Sequence, residues 1–224
     1  MRALLGALWQ SDTAFPSGGF AFSNGVEAAV ATLGVLDRAA LTSLIGATLV
    51  RRWANAERPA ILYAFHAESL RRLGAVDAAY EAATLSEPLR LGSRRNGRAL
   101  LKAHQRLGSP GAGELSEAIA QGLCLGHLPV AQGWIWRRCG LGEAEAVAVS
   151  GYSTAAAMAN AAVRLGALGV LEAQAALAAC LPLIEDFGSA SLDPAGPIVL
   201  STATPWLDIV SARHARADLR LFAN

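Results

Sequence analysis

Apolar residues recur at helical spacing along most of the chain, and alternating runs of β-branched residues are nearly absent. The pattern predicts a short helix over Leu4–Gln10 and a second from Asn24 to Leu33, closed by Gly34. Asp37 reads as the N-cap of a long amphipathic helix reaching about Asn55, with Leu41, Leu44, Ile45, Thr48 and Leu49 on its inward stripe. Pro59 suits the first turn of another helix, which carries Ile61, Leu62, Phe65 and Leu70 to a stop at Gly74, and Asp77 repeats the capping signal. Ser86 opens an Arg-rich helix running to Gly108, and GSPGAGEL from Gly108 to Leu115 reads as a linker. Glu114–Leu125, Pro129–Cys139, Glu143–Leu165 and Leu171–Phe187 are further helices. A flexible loop near 188–205 and a last helix near Trp206–His214 complete the series. The expected fold is all-α: a single domain over residues 1–224, a bundle of about ten helices, ending in a docking tail over 208–224.

Composition adds an expectation of association. Hydrophobic residues make up 53% of the 224 residues and charged residues only 17%, against a usual quarter or so charged. Apolar surface in that excess marks interaction sites, so a homodimer or a complex is expected. The best candidate membrane span, Ala146–Val163, carries Ser150, Gly151, Tyr152, Ser153, Thr154 and Asn160 and reads better as a buried helix. The net charge of +1 with no basic stripe argues against nucleic-acid binding. Three scattered cysteines argue against a disulfide framework and fit a reducing cytoplasm. The first residues, MRALLGALWQSD, have no small-residue cleavage site and read as the first helix rather than a signal peptide.

Catalytic chemistry finds little support. Gly108 to Gly113 has the GxxxxG spacing of a phosphate loop, but Glu114 and Leu115 stand where Lys and Ser or Thr are required. No G-x-S-x-G elbow and no H-E-x-x-H helix occurs. Cys124 and His127 are spaced C-x-x-H and are weak candidates for a soft-metal site, with Cys139 downstream; buried packing and a backbone-bonded turn are the favoured reading. Arg90, Arg94 and Arg98 fall on one helix face. That face is either solvated, with Glu partners supplied from elsewhere, or an electropositive stripe for an acidic partner. Gly97 between the charges permits close approach of another backbone.

Two stretches stand out. The segment Asp12–Glu27, DTAFPSGGFAFSNGVE, is a Pro- and Gly-bearing loop ringed by Phe15, Phe20 and Phe22 and leading into a helix. Asn24 and Glu27 have the spacing of a capping box. The tail SARHARADLRLFAN alternates basic residues with Leu219, Leu221 and Phe222, a pattern suited to docking on this chain's core or on a partner.

PSGGFAFSNGVE resembles the PxGGFxxSxGLE signature of the urease accessory protein F family, UreF. Further matches recur in order: Arg90 with Arg94–Arg98; Gly126-His127-Leu128-Pro129-Val130 followed by Gly133; Val163–Gly169; and His214 with Arg220-Leu221-Phe222. Phe22 stands where that family commonly has Tyr, Asn24 and Pro88 where it has Glu, and Ala215 where it has an acidic residue. The resemblance implies a non-catalytic, dimeric, cytoplasmic assembly factor. Such a factor bridges the accessory protein UreD (UreH) and the nickel-carrying GTPase UreG in the complex that delivers nickel to urease apoprotein. It implies no tightly bound cofactor in this chain, GTP being bound by UreG. It also implies a partner-binding set at Pro16, Gly18, Gly19, Phe20, Phe22, Glu27, Arg94, Arg98, His214, Arg220, Leu221 and Phe222. The alternative from the residues alone is a helical enzyme with its site around His127 and the Arg90/Arg94/Arg98 face.

Overall fold

The computed structural model describes residues 1–17, 19, 22–214 and 221–222, with the His214 side chain left aside. It is all-α, and no strand occurs among the described residues. In chain order the helices are α1 (Arg2–Ser11), α2 (Val26–Leu33), α3 (Arg38–Thr48), a π-helical segment (Leu49–Glu57), α4 (Arg58–Phe65) and α5 (Leu70–Ala83). They continue as α6 (Glu87–Arg106), α7 (Ala112–Ala120), α8 (Leu128–Arg138), α9 (Glu143–Arg164), α10 (Val170–Gly188) and α11 (Pro205–His214).

Two hydrophobic clusters share α4 and α9 between them. Ile61 and Val149 belong to one, with Leu73, Leu100, Leu115, Trp134 and Trp136. Leu62 and Val147 belong to the other, with Ile45, Leu49, Trp53, Met158 and Leu177. The stretch Ala146–Val163 is accordingly the inner part of α9, not a span, and no described helix is long and apolar enough to cross a membrane.

Four local readings are corrected by tertiary use. The helix predicted to end near Asn55 does not end there: α3, the π segment and α4 form one continuous rod, with Pro59 inside it. Pro59 has no N–H to give the Asn55 carbonyl, and Ser201 N–H supplies that donor at 3.0 Å. Ala203 N–H reaches the Arg51 carbonyl at 3.1 Å in the same way. The segment between α10 and α11, irregular as expected, is thereby held along the rod. Tyr63 Oη donates to the Pro197 carbonyl at 2.9 Å and Arg72 to that of Gly196 at 2.8 Å. Within the π segment, i→i+5 bonding stacks residues five apart. This puts the buried Arg52 Nε 2.9 Å from Oε1 of half-buried Glu57, a pair that an α register would hold roughly 140° apart.

Gly74 is not a stop, and Asp77 is not a cap. The break comes at residues 66–69, where the Ser69 side chain caps Arg72 N–H, and α5 runs through both residues. The Asp77 carboxylate instead receives the N–H groups of Leu125 and Gly126 at 2.6 and 2.7 Å, and that of His127 at 3.1 Å. The Asp37 cap forms as expected, accepting from Ala40 N–H at 2.7 Å.

The Asn24–Glu27 capping box does not form. Asn24 and Gly25 take left-handed conformations, with φ of 52° and 89°, and α2 begins at Val26. A side chain at Gly25 would be strained by that φ and would lie 2.8 Å from Leu207 of α11. The close seating of α11 on α2 requires glycine there.

Candidate partner-docking site

The glycine loop is fastened at both ends by aromatic rings. Phe15 is buried against Trp9 and His104, with ring centroids 5.2 and 5.3 Å away. Phe22 is buried against the α-carbon of Gly92 on α6, under the Arg95 guanidinium at 5.9 Å. Between these anchors Pro16 is exposed and Gly19 is half-buried, while Gly18 and Phe20 lie outside the described residues. The loop borders a cavity of about 190 Å³, walled by Ser17, Gly19, Asn96, Glu57 and Arg164 among others.

Glu27 joins this region to the tail. Its carboxylate, 7% exposed, accepts the backbone N–H of Leu221 at 2.5 Å and of Phe222 at 3.1 Å. Phe222 is 4% exposed, lies within the cluster of α2, α9 and α10, and is covered by the Arg164 guanidinium at 4.4 Å. Arg164 therefore touches both the tail and the cavity beside the glycine loop. Leu221, next in the chain, is 60% exposed. Of the residues proposed from the resemblance, the structure thus brings together Gly19, Phe22, Glu27, Leu221 and Phe222 on one side of the molecule. Phe222 and Glu27 serve the chain's own tail. His214 ends α11, and Arg220 lies outside the described residues.

The arginine face of α6 divides. Arg94 and Arg90 turn onto Glu81 of α5, at 2.5 and 3.5 Å, and Arg90 also donates to the Thr84 carbonyl at 2.8 Å. Arg98 is exposed. Gly97 admits another backbone, as its place between the charges suggests, and that backbone is the chain's own. A Cβ there would overlap the Gly126 carbonyl oxygen and lie 2.9 Å from Leu128 N. The turn so positioned holds His127, fully buried, whose Nε2 lies 2.7 Å from Glu81. Burial pushes the His127 imidazole downward despite Asp77 and Glu81. A neutral ring with Nε2–H donating to Glu81 fits, since Nδ1 has no hydrogen-bond partner among the described residues. Burial pushes Glu81 upward, but hydrogen bonds from Arg94 and His127 outweigh it and hold the carboxylate below its usual range.

In this network the partly exposed Glu81 carboxylate is shared by Arg90, Arg94 and His127. Cys124 is buried too, its thiol pushed up to about 11 by burial and by Asp77, so it is protonated at neutral pH. No group of three or more His, Cys, Asp or Glu residues suited to a metal ion occurs among the described residues. Sequence reasoning missed Glu81, which has no local signal, and gave no role to Arg164 although it falls in the Val163–Gly169 match. Their roles come from partners on other segments of the chain, Arg90, Arg94 and His127 for Glu81 and Phe222 for Arg164.

The UreF family profile matches residues 35–181. The chain is 33% identical over 220 residues to the urease accessory protein UreF of Cereibacter sphaeroides, covering 98% of each. It is 30% identical over 223 residues to the protein of that name from Actinobacillus pleuropneumoniae, covering 97% of this chain and 98% of the relative. Against that from Yersinia pestis it is 29% identical over 218 residues, covering 95% and 94%.

Proposed function

The chain belongs to the UreF family, and from that premise we propose that it is a non-catalytic assembly factor in urease maturation. It bridges UreD (UreH) and the GTPase UreG while nickel, as cargo, passes to urease apoprotein. The GTP of that complex is bound by UreG, and this chain holds no resident cofactor. It works in the cytoplasm, as a homodimer.

The observation that carries this reading is the junction made by Glu27. A scaffold needs surfaces whose geometry is set before the partner arrives, because ordering a segment on binding costs affinity. Glu27 accepts two tail N–H groups, and Phe222 buries beside them. Glycine loop and tail are thus offered together, with Leu221 exposed beside the anchored Phe222. Along α1, Leu4, Leu5, Leu8 and Trp9 are exposed as well, an apolar ridge suited to association.

Reconstituted activation tests the reading. Nickel-free urease apoprotein with UreD, UreG, GTP and nickel gains activity when this chain is added and lacks it when the chain is omitted. Equal activation without the chain would contradict the assignment.

A further inference from the structure

We propose that the outer face of α6 docks an acidic segment of a partner protein. Once Arg90 and Arg94 turn onto Glu81, a second set of cations is left outside. Arg95, Arg98, Lys102 and Arg106 are all exposed. Their spacing, with exposed Leu91 ahead of them, places all five within a sector of about 80° on a helix turning about 100° per residue. From Arg95 to Arg106 the row is about 16 Å long.

Nothing among the described residues neutralises this row. Arg98, Lys102 and Arg106 have no hydrogen bond or ion pair there, and Arg95 meets only the Phe22 ring. Glu87, in the first turn, is the sole acid of the helix. Like charges three and four positions apart weaken a helix, so the row is a cost that a facing row of carboxylates would reverse. The chain's net charge is only +1, so this is a local excess of the kind that steers and orients a partner. The row also starts where Arg95 covers Phe22, continuous with the glycine loop. Its location as part of a partner face rests on the proposed function, while its acidic complement rests on charge alone. An acidic protein segment is favoured over nucleic acid because the row is one helix wide and begins at the apolar Leu91. α6 carries no Phe, Tyr or Trp for bases to stack on, and its one imidazole, His104, is buried.

The test uses the full chain and a synthetic helical peptide carrying glutamates at the mirrored i, i+3, i+7, i+11 spacing with one terminal leucine. Its controls are a scrambled peptide of the same composition and a duplex DNA of similar length. Fluorescence anisotropy should show the patterned peptide binding more tightly than either control and weakening as salt rises. The triple reversal R98E/K102E/R106E, with unchanged circular dichroism, should lower its affinity at least about tenfold. R98Q/K102Q is the milder variant should the reversal disturb folding, and it should weaken binding in the same direction. Unchanged affinity in these variants, or tighter binding of the DNA, would overturn the proposal. No urease component is present, so failure here leaves the assembly role standing, and failure of urease activation leaves this surface standing.

Discussion

The Glu27 carboxylate accepts the backbone N–H of Phe222 at 3.1 Å, joining the start of α2 to the tail across 195 positions of sequence. Its other oxygen takes the N–H of Leu221. One buried acid thus replaces the water that two amides of a chain end would otherwise bind, and the Phe222 ring seals the contact. Hydrogen bonds to a charged acceptor contribute about 1.5–3 kcal/mol each. Glu27→Ala should therefore release the tail, with hydrogen exchange at Leu221 and Phe222 rising at least about tenfold while α4 and α9 stay protected. Glu27→Gln, which keeps one acceptor, should fall between. Unchanged exchange at both amides would show that the tail is held by Phe222 alone.

Gly97→Ala should destabilise the fold. The new methyl would overlap the Gly126 carbonyl oxygen, with the His127 carbonyl carbon 2.8 Å away, and all of these are backbone atoms. Separating α6 from this turn also pulls at the Asp77 and Glu81 hydrogen bonds. A loss of about 3 kcal/mol is expected by urea denaturation, at the upper end of overpacking costs. Wild-type stability in this variant would mean that the turn yields freely.

His104 predicts an acid-side loss of stability. It is fully buried, and Nε2–H donation to Gln10 Oε1 with acceptance at Nδ1 from the Ser109 hydroxyl satisfies the neutral ring. Burial lowers its pKa to about 4 from 6.5. Above pH 6.5 the ring is neutral in both states, so its stabilisation is fully present. Between about 6.5 and 4 the unfolded chain binds a proton that the folded chain refuses, and stability falls with pH. The total reaches about 3 kcal/mol, after which the contribution flattens. His127, lowered in the same direction, adds to the slope. Denaturation series at pH 7 and pH 5 check this, and His104→Gln should flatten the profile relative to wild type.

Pro59→Ala should loosen the segment that follows α10. The substitution restores an N–H competing for the Asn55 carbonyl that Ser201 now occupies. Faster amide exchange at Ser201, with the core unaffected, is the expected result.

The helical class and most of the elements were legible in the apolar periodicity, because it reports burial of one helix face and that is what the fold requires. The family was legible in the motif order. What escaped was the use of carboxylates. Asp77 and Glu27 stand where local rules place helix caps, yet each serves backbone amides about 50 and 195 positions away. A cap and a distant acceptor look alike in sequence, since both need an acid near a helix start. The arginine face of α6 was visible as charge, but its division was not, because Glu81 belongs to another helix. The π register left only Pro59 as a trace.

The central claim is that the docked tail forms part of the surface on which the accessory complex assembles. It is tested most directly by size-exclusion co-elution of UreD and UreG with three forms of this chain: wild type, Glu27→Ala, and a chain lacking residues 216–224. All three should keep the same helical circular dichroism. Both partners should co-elute with wild type, weakly with Glu27→Ala, and not with the shortened chain. If the shortened chain carried UreD and UreG through the column as wild type does, the tail would serve internal packing alone, and the account would be contradicted.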